Sequence, residues 1–134
     1  MNIGVDTNVL IAAFLTSGTS HEVLEAITSQ KSCVLSPYIL EEFKRVLTSK
    51  KFQFPAQIVD SFVSYLRQHS SIQIEYSDIE IDFSDASDRK ILALCHTVAA
   101  DFLVTGDGEL LALKKTGRTI IIQPSDFLKV MEKF

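Results

Sequence analysis

The sequence predicts an α/β fold in which a parallel sheet carries helices on both of its faces. Three observations lead there. Short apolar runs rich in Ile, Val and Leu alternate with longer amphipathic segments along the whole chain, and strands alternating with helices make crossover units that bury a parallel sheet from both sides. The 134 residues are 46% hydrophobic and 22% charged, an ordinary globular composition in a length that rarely splits into two cores, so one domain over 1–134 is expected. No internal repeat, low-complexity tract or linker rich in Gly, Pro or Ser interrupts the alternation.

Ile3–Val5 is an uninterrupted apolar run and reads as the first strand. A helix follows over about Thr7–Leu15, with His21–Ser29 as its continuation, and Cys33–Leu35 is the second strand. Ser36-Pro37 opens a helix to about Thr48, because Ser caps a helix well and Pro at the first helical position forfeits no hydrogen bond. Pro55 opens the next, to about His69, with Ile58, Phe62, Val63 and Leu66 on one face. Ile72–Tyr76 reads as strand, Asp85–Ala99 as helix and Phe102–Thr105 as strand. Glu109–Lys114 is a short helix, Thr119–Gln123 a strand, and Pro124–Glu132 a last helix. Gly18, Gly106, Gly108 and Gly117 fall where turns are expected. Gly4 lies inside the first apolar run, with no role visible in the sequence.

Thirteen Lys and Arg against seventeen Asp and Glu give a net charge of -4. A protein holding nucleic acid by broad phosphate neutralisation is usually basic, so contact with nucleic acid here requires a local basic patch or bound cations. Cys33 and Cys95 stand in apolar surroundings, without a CxxC or a Cys/His cluster. They read as buried free thiols of a reducing cytosol, and zinc is not expected. No apolar stretch approaches the roughly 20 residues of a membrane span, and MNIGVDTN lacks the basic start of a signal peptide. A cytosolic protein with no membrane partner is expected.

In open parallel sheets ligands bind beyond the carboxyl ends of the strands, where strand order reverses. Acidic residues stand at such ends here. Asp6 follows Ile-Gly-Val, and Asp107 follows FLVTG in the same relation to a later strand. Either one alone is an ordinary helix cap or turn residue. Two of them after two apolar strands of one sheet point at the same edge. Asp88 opens a helix whose apolar stripe is Ile91, Leu92, Leu94, Cys95, Val98 and Ala99. At about 100° per residue it projects within roughly 20° of the centre of that stripe, a costly direction for a charge unless it is paired or metal-bound. Asp85, three residues earlier, fits the structural role of N-cap. In the third helix Ile39, Leu40, Phe43, Val46 and Leu47 define the buried face. Glu41 lies opposite its centre, in water, while Glu42 flanks it at roughly 95° and can reach toward Asp6.

Several carboxylates in one cleft repel, and hard divalent cations with oxygen ligands relieve that. Mg²⁺ or Mn²⁺ so held can activate a water and steady the leaving oxygen of a phosphodiester, and also bridges an acidic protein to a polyanion. His21, His69 and His96 show no helical pairing, and GxSxG, GxGxxG and GxxxxGK[ST] do not occur. Nucleophilic Ser or Cys chemistry and a phosphate loop are therefore unsupported.

VDTNVLIAAF, SPYILEEFKRVL, DASDRKILALC, ADFLVTGDGELLAL and the closing IIQPSDFL, in this order over nearly the whole chain, resemble the PIN-domain ribonucleases. More closely they resemble the subgroup of toxins from bacterial toxin–antitoxin systems. The resemblance implies a three-layer α/β/α sandwich with a central parallel sheet, and a Mg²⁺- or Mn²⁺-dependent nuclease of single-stranded RNA. Its acidic quartet matches Asp6, Glu42, Asp88 and Asp107, which would be both catalytic and metal-holding. Asn8 matches the Asn of the D-T-N motif, Thr105 the Thr two positions before the last Asp, and Asp101 an often acidic position at the start of a strand. Cys95 stands where a small Ala is usual, and Ala86-Ser87 replaces a commoner Pro-containing turn. An antitoxin partner and a homodimer are further implications of the resemblance.

Lys44, Arg45, Lys50, Lys51, Arg89, Lys90, Lys114, Lys115 and Arg118 could form a weak phosphate track, and Phe14, Phe52, Phe54 and Tyr76 could stack on bases. Two other functions compete. A phosphohydrolase of the haloacid dehalogenase type needs a second Asp two residues after the first, where this chain has Asn8. A PIN-like module that binds RNA or protein without cutting would be favoured by an incomplete quartet.

Overall fold

The computed structural model describes residues 1–75, 83 and 85–133. In chain order they form β1 (Ile3–Val5), α1 (Thr7–Leu15), α2 (Thr19–Ser29), β2 (Cys33–Leu35), α3 (Pro37–Leu47), α4 (Ala56–His69) and β3 (Ser71–Ile72). There follow α5 (Ala86–Val98), β4 (Phe102–Val104), α6 (Gly108–Leu113), β5 (Lys115–Thr116), β6 (Thr119–Ile122) and α7 (Pro124–Met131). The strands make one sheet in the order β3-β2-β1-β4-β6-β5. Every pair is parallel except β5 with β6.

From β1 the chain moves outward through β2 to β3, then returns past β1 to β4 and β6. Parallel crossovers are right-handed, so moves in opposite directions leave their helices on opposite faces. That puts α1 to α4 on one face and α5 and α6 on the other, in agreement with the contacts of α1 with α2 and α3, of α3 with α4, and of α5 with β1. α7 packs on α2 and joins the first face. The result is the three-layer α/β/α arrangement. β1, β2 and β4 are buried at every residue because helices cover both sides, which is why they read as unbroken apolar runs.

The structure departs from the sequence reading in a few places. α2 begins at Thr19, with Gly18 in the capping position, two residues before the expected start. Gly108 is the first residue of α6, not a turn, because Asp107 caps that helix. β5 was not expected: Lys115–Thr116 becomes strand only by pairing antiparallel with β6, so the sheet is mixed at one edge. β3 is confined to Ser71–Ile72 among the described residues, and Tyr76 lies outside them. Gly4 acquires a role, since a Cβ there would stand 3.0 Å from Cys95 Sγ. Its missing side chain lets α5 lie against β1.

Candidate active site

The β1–β4 register sets Val5 beside Val104, and the Asp6 N–H donates to the Val104 carbonyl at 3.0 Å. The next residues of the two strands, Asp6 and Thr105, therefore emerge side by side at the carboxyl edge. This is where the chain changes direction across the sheet, the crevice in which α/β folds bind ligands. Thr105 is wholly enclosed. Its hydroxyl donates to Asp6 Oδ2 at 2.8 Å and accepts the Asp107 N–H at 3.0 Å. One hydroxyl thus joins two residues 101 positions apart.

Asp6 occupies the N-cap position of α1, yet its carboxylate makes no cap bond there. The carboxyl pKa is raised, chiefly by burial, with further push from the charges of Asp107 and Glu42, while bonds from Thr105 and the Thr7 backbone pull the other way. Asp107 is a working cap: Oδ1 accepts from the backbone N–H groups of Glu109 at 2.8 Å and Leu110 at 3.4 Å. Its other oxygen takes no bond from the described residues. Asp88 is only 7% exposed, and Asp85 Oδ1 caps its backbone N–H at 3.0 Å. Burial, then the charges of Asp107, Asp85, Asp6 and Glu109, push the Asp88 carboxyl up to about 6. Asp85 itself is exposed.

Glu41 is exposed and Glu42 shielded, as their angular positions on α3 require. Both oxygens of Glu42 are engaged. Thr7 Oγ1 donates to Oε1 at 2.5 Å, the Ser87 hydroxyl donates to Oε2, and Arg45 stands 3.7 Å from Oε2. Tyr38 OH lies 3.2 Å from Ser87 Oγ. Glu42 is thus seated between α1 and α5, on the same edge as the aspartates. Among the described residues, no three Asp, Glu, His or Cys side chains form a group that could hold one metal ion. Asp6 feels the charges of Asp107 and Glu42, and Asp88 those of Asp107 and Asp6.

The remaining sequence candidates are scattered. Asn8 is exposed on the first turn of α1. Asp101 sits at the opposite, amino end of β4, where it accepts from the Asn2 backbone N–H at 3.0 Å and from Arg118 at 2.7 Å. Burial costs it less than these bonds return, and its pKa is lowered. Asp101 is therefore part of a clasp remote from the acidic edge, and Arg118 belongs there with it. Of the basic residues proposed for a phosphate track, Lys44 pairs with Asp60 at 3.4 Å and Lys90 with Glu75 at 3.5 Å. Phe14 stacks on Phe43 and Phe62, and Phe52 and Phe54 pack on the core, which removes three stacking candidates. Three residues of the site went unread in the sequence: Thr7, Tyr38 and Ser87. Thr7 and Ser87 each put a hydroxyl in the first turn of a helix beside an acidic residue, and Tyr38 stands one turn before Glu42 on α3. An open groove of about 620 Å³ between α2 and α4, lined by Glu22, Glu25, Tyr65 and His69 among others, contains none of the residues above.

Residues 2–109 match the family described as PIN domain, a span that contains Asp6, Glu42, Asp88, Thr105 and Asp107. The fold is similar to a chain in the crystal structure of VapBC2 from Rickettsia felis bound to a DNA fragment from their promoter. The TM-score is 0.65 at 16% identity, covering 92% of this chain and 98% of that one. At that identity the likeness is one of fold. No curated protein sequence matches.

Proposed function

The chain belongs to the PIN-domain family, and from that premise we propose that it is a Mg²⁺- or Mn²⁺-dependent endoribonuclease cutting single-stranded RNA, acting as the toxin of a toxin–antitoxin pair. The observation that carries the reading is the Thr105 hydroxyl joining Asp6 to Asp107 at the switch point of the sheet, with Asp88 and Glu42 within reach of their charge. The donor set fits the metal, since carboxylate oxygens without thiol or imidazole suit a hard divalent cation, and Asp6, Glu42, Asp88 and Asp107 would hold it. Bound there, the ion would supply a water acidic enough to attack phosphorus and would offset charge on the phosphoryl oxygens.

The chain's own residues have separate tasks. Thr105 orients Asp6 and fixes the backbone at Asp107. Thr7 and Ser87 hold the Glu42 carboxylate. The shielding of Asp88 keeps competing water from it, at the cost of a raised pKa. Arg45, with its side chain 72% exposed beside Glu42, offers a guanidinium to a phosphate of the substrate. None of the described helices is long and apolar enough to cross a membrane. The partner we assign is an antitoxin protein, in keeping with the VapBC2 assembly that the fold is similar to. A homodimer is proposed on the family resemblance alone.

A non-cutting RNA- or protein-binding module is the second reading, and one observation favours it: both Glu42 oxygens are already engaged, by Thr7, Ser87 and Arg45. Cleavage decides between them. A labelled single-stranded RNA should be cut with Mg²⁺ or Mn²⁺ and left intact in EDTA, and Asp6→Asn should slow cutting by about 10²-fold or more. Full activity in EDTA refutes the metal dependence, and full activity in Asp6→Asn refutes the acidic site. RNA binding without cutting supports the module.

A further inference from the structure

Tyr38 and Glu42 lie four residues apart on α3, and Ser87 and Lys90 three apart on α5, so each pair shares one helix face. The two faces meet. Ser87 bridges Tyr38 OH and Glu42 Oε2, and Lys90 Nζ lies 5.6 Å from the centre of the Tyr38 ring while pairing with Glu75 at 3.5 Å. The proton direction in this string is fixed by chemistry. An ionised Glu42 can only accept, so the Ser87 hydroxyl spends its one proton there, and the Tyr38 hydroxyl must donate to Ser87. Thr7 does the same for the other oxygen.

We propose that Ser87, oriented by Tyr38, is a positioning residue that sets the direction of the Glu42 carboxylate for cation binding. The inference rests on the nuclease reading of this edge. Glu42 projects from a long, flexible side chain on the flank of α3, unlike Asp6, which is fixed by its own strand. Without the hydroxyls on α1 and α5 it would sample several rotamers, and each would have to be given up when a cation binds. The Lys90–Glu75 pair and the ring contact hold Tyr38 in the place from which its hydroxyl reaches Ser87. A hydroxyl at position 87 is therefore a device of this chain, standing immediately before Asp88 and serving a different acidic residue.

The experiment is a Mn²⁺ titration of the full chain, by calorimetry or by loss of the free-ion EPR signal, at fixed pH and ionic strength. Circular dichroism checks the fold of each variant. Ser87→Ala should weaken Mn²⁺ binding about 10-fold, the scale on which partners behind a metal's ligands act. Ser87→Thr, which keeps the hydroxyl, should bind within about 2-fold of wild type. Tyr38→Phe keeps the ring and the Lys90 contact and should weaken binding about 3-fold. In Ser87→Ala it should have no further effect, because its hydroxyl then has nothing to orient. A structural role alone would lower the melting temperature and leave the Mn²⁺ affinity alone, so unchanged affinity in Ser87→Ala overturns the proposal. So does an equal, additive effect of Tyr38→Phe in both backgrounds, or wild-type affinity in Tyr38→Phe. If the wild type binds Mn²⁺ no better than Asp6→Asn does, the nuclease reading falls and this inference with it.

Discussion

Among single residues, the four aspartates from 85 to 107 show how one side chain takes different employment according to its neighbours. Asp85 caps α5, Asp107 caps α6 with one oxygen, Asp101 clasps Arg118, and the buried Asp88 carboxylate takes no such bond from the described residues. The consequence is a pH dependence. Burial and like charges raise the folded pKa of Asp88 to about 6 from an ordinary 3.8. The folded state then holds a proton that the unfolded chain has released, so stability falls as pH rises from about 4 through about 6. Asp88→Asn should lessen that fall, leaving the part due to the raised Asp6 carboxyl, and stabilise the metal-free protein at pH 7 by about 1–2 kcal/mol, after screening. Thermal unfolding of both proteins across pH measures it, and a lower melting temperature for Asp88→Asn would assign the residue to structure. Helical geometry made part of this legible beforehand: a step of about 100° separates Glu41 from Glu42 and aims Asp88 at the sheet. The hydroxyls were not legible. Ser87 meets Glu42 across 45 residues of sequence, and no local pattern encodes that meeting.

At the scale of elements, the apolar strands and the capped helices could be read because each carries its own signal, such as Ser36 accepting from the Ile39 N–H at 3.2 Å. β5 could not. Its two polar residues are a strand only because β6 offers an edge. The packing of α5 on β1 was equally silent, since it depends on Gly4 and Cys95 being opposite one another. That contact can be tested. Gly4→Ala puts a methyl group against a buried sulfur and should cost about 1–3 kcal/mol as overpacking. Cys95→Ala opens the space that the methyl needs, so the double variant should recover most of the loss. If the two substitutions are simply additive in denaturant unfolding, the close approach is not what Gly4 serves.

Taken whole, the molecule keeps its acidic residues of opposite purpose at opposite ends of β4: Asp101 in a salt bridge at the amino end, Asp107 in the crevice at the carboxyl end. The proposed metal should act on the molecule's stability as well as its chemistry, because it binds the folded state alone. Mn²⁺ at 100 times its Kd should stabilise the wild type by about 2.7 kcal/mol, and at the same concentration should shift the melting temperature of Asp88→Asn much less. An equal shift in both would remove Asp88 from the metal site. The sheet order has a further consequence, in time. β1 waits at the centre of the sheet for β4, a strand that begins 97 residues after β1 ends. A ribosome completes Asp6 and Glu42 long before it reaches Thr105 and Asp107. Such distant pairings form late, after a costly loop has closed. The half-made chain therefore carries half a crevice, and the chemistry proposed for this edge can begin only when the second half of the protein arrives.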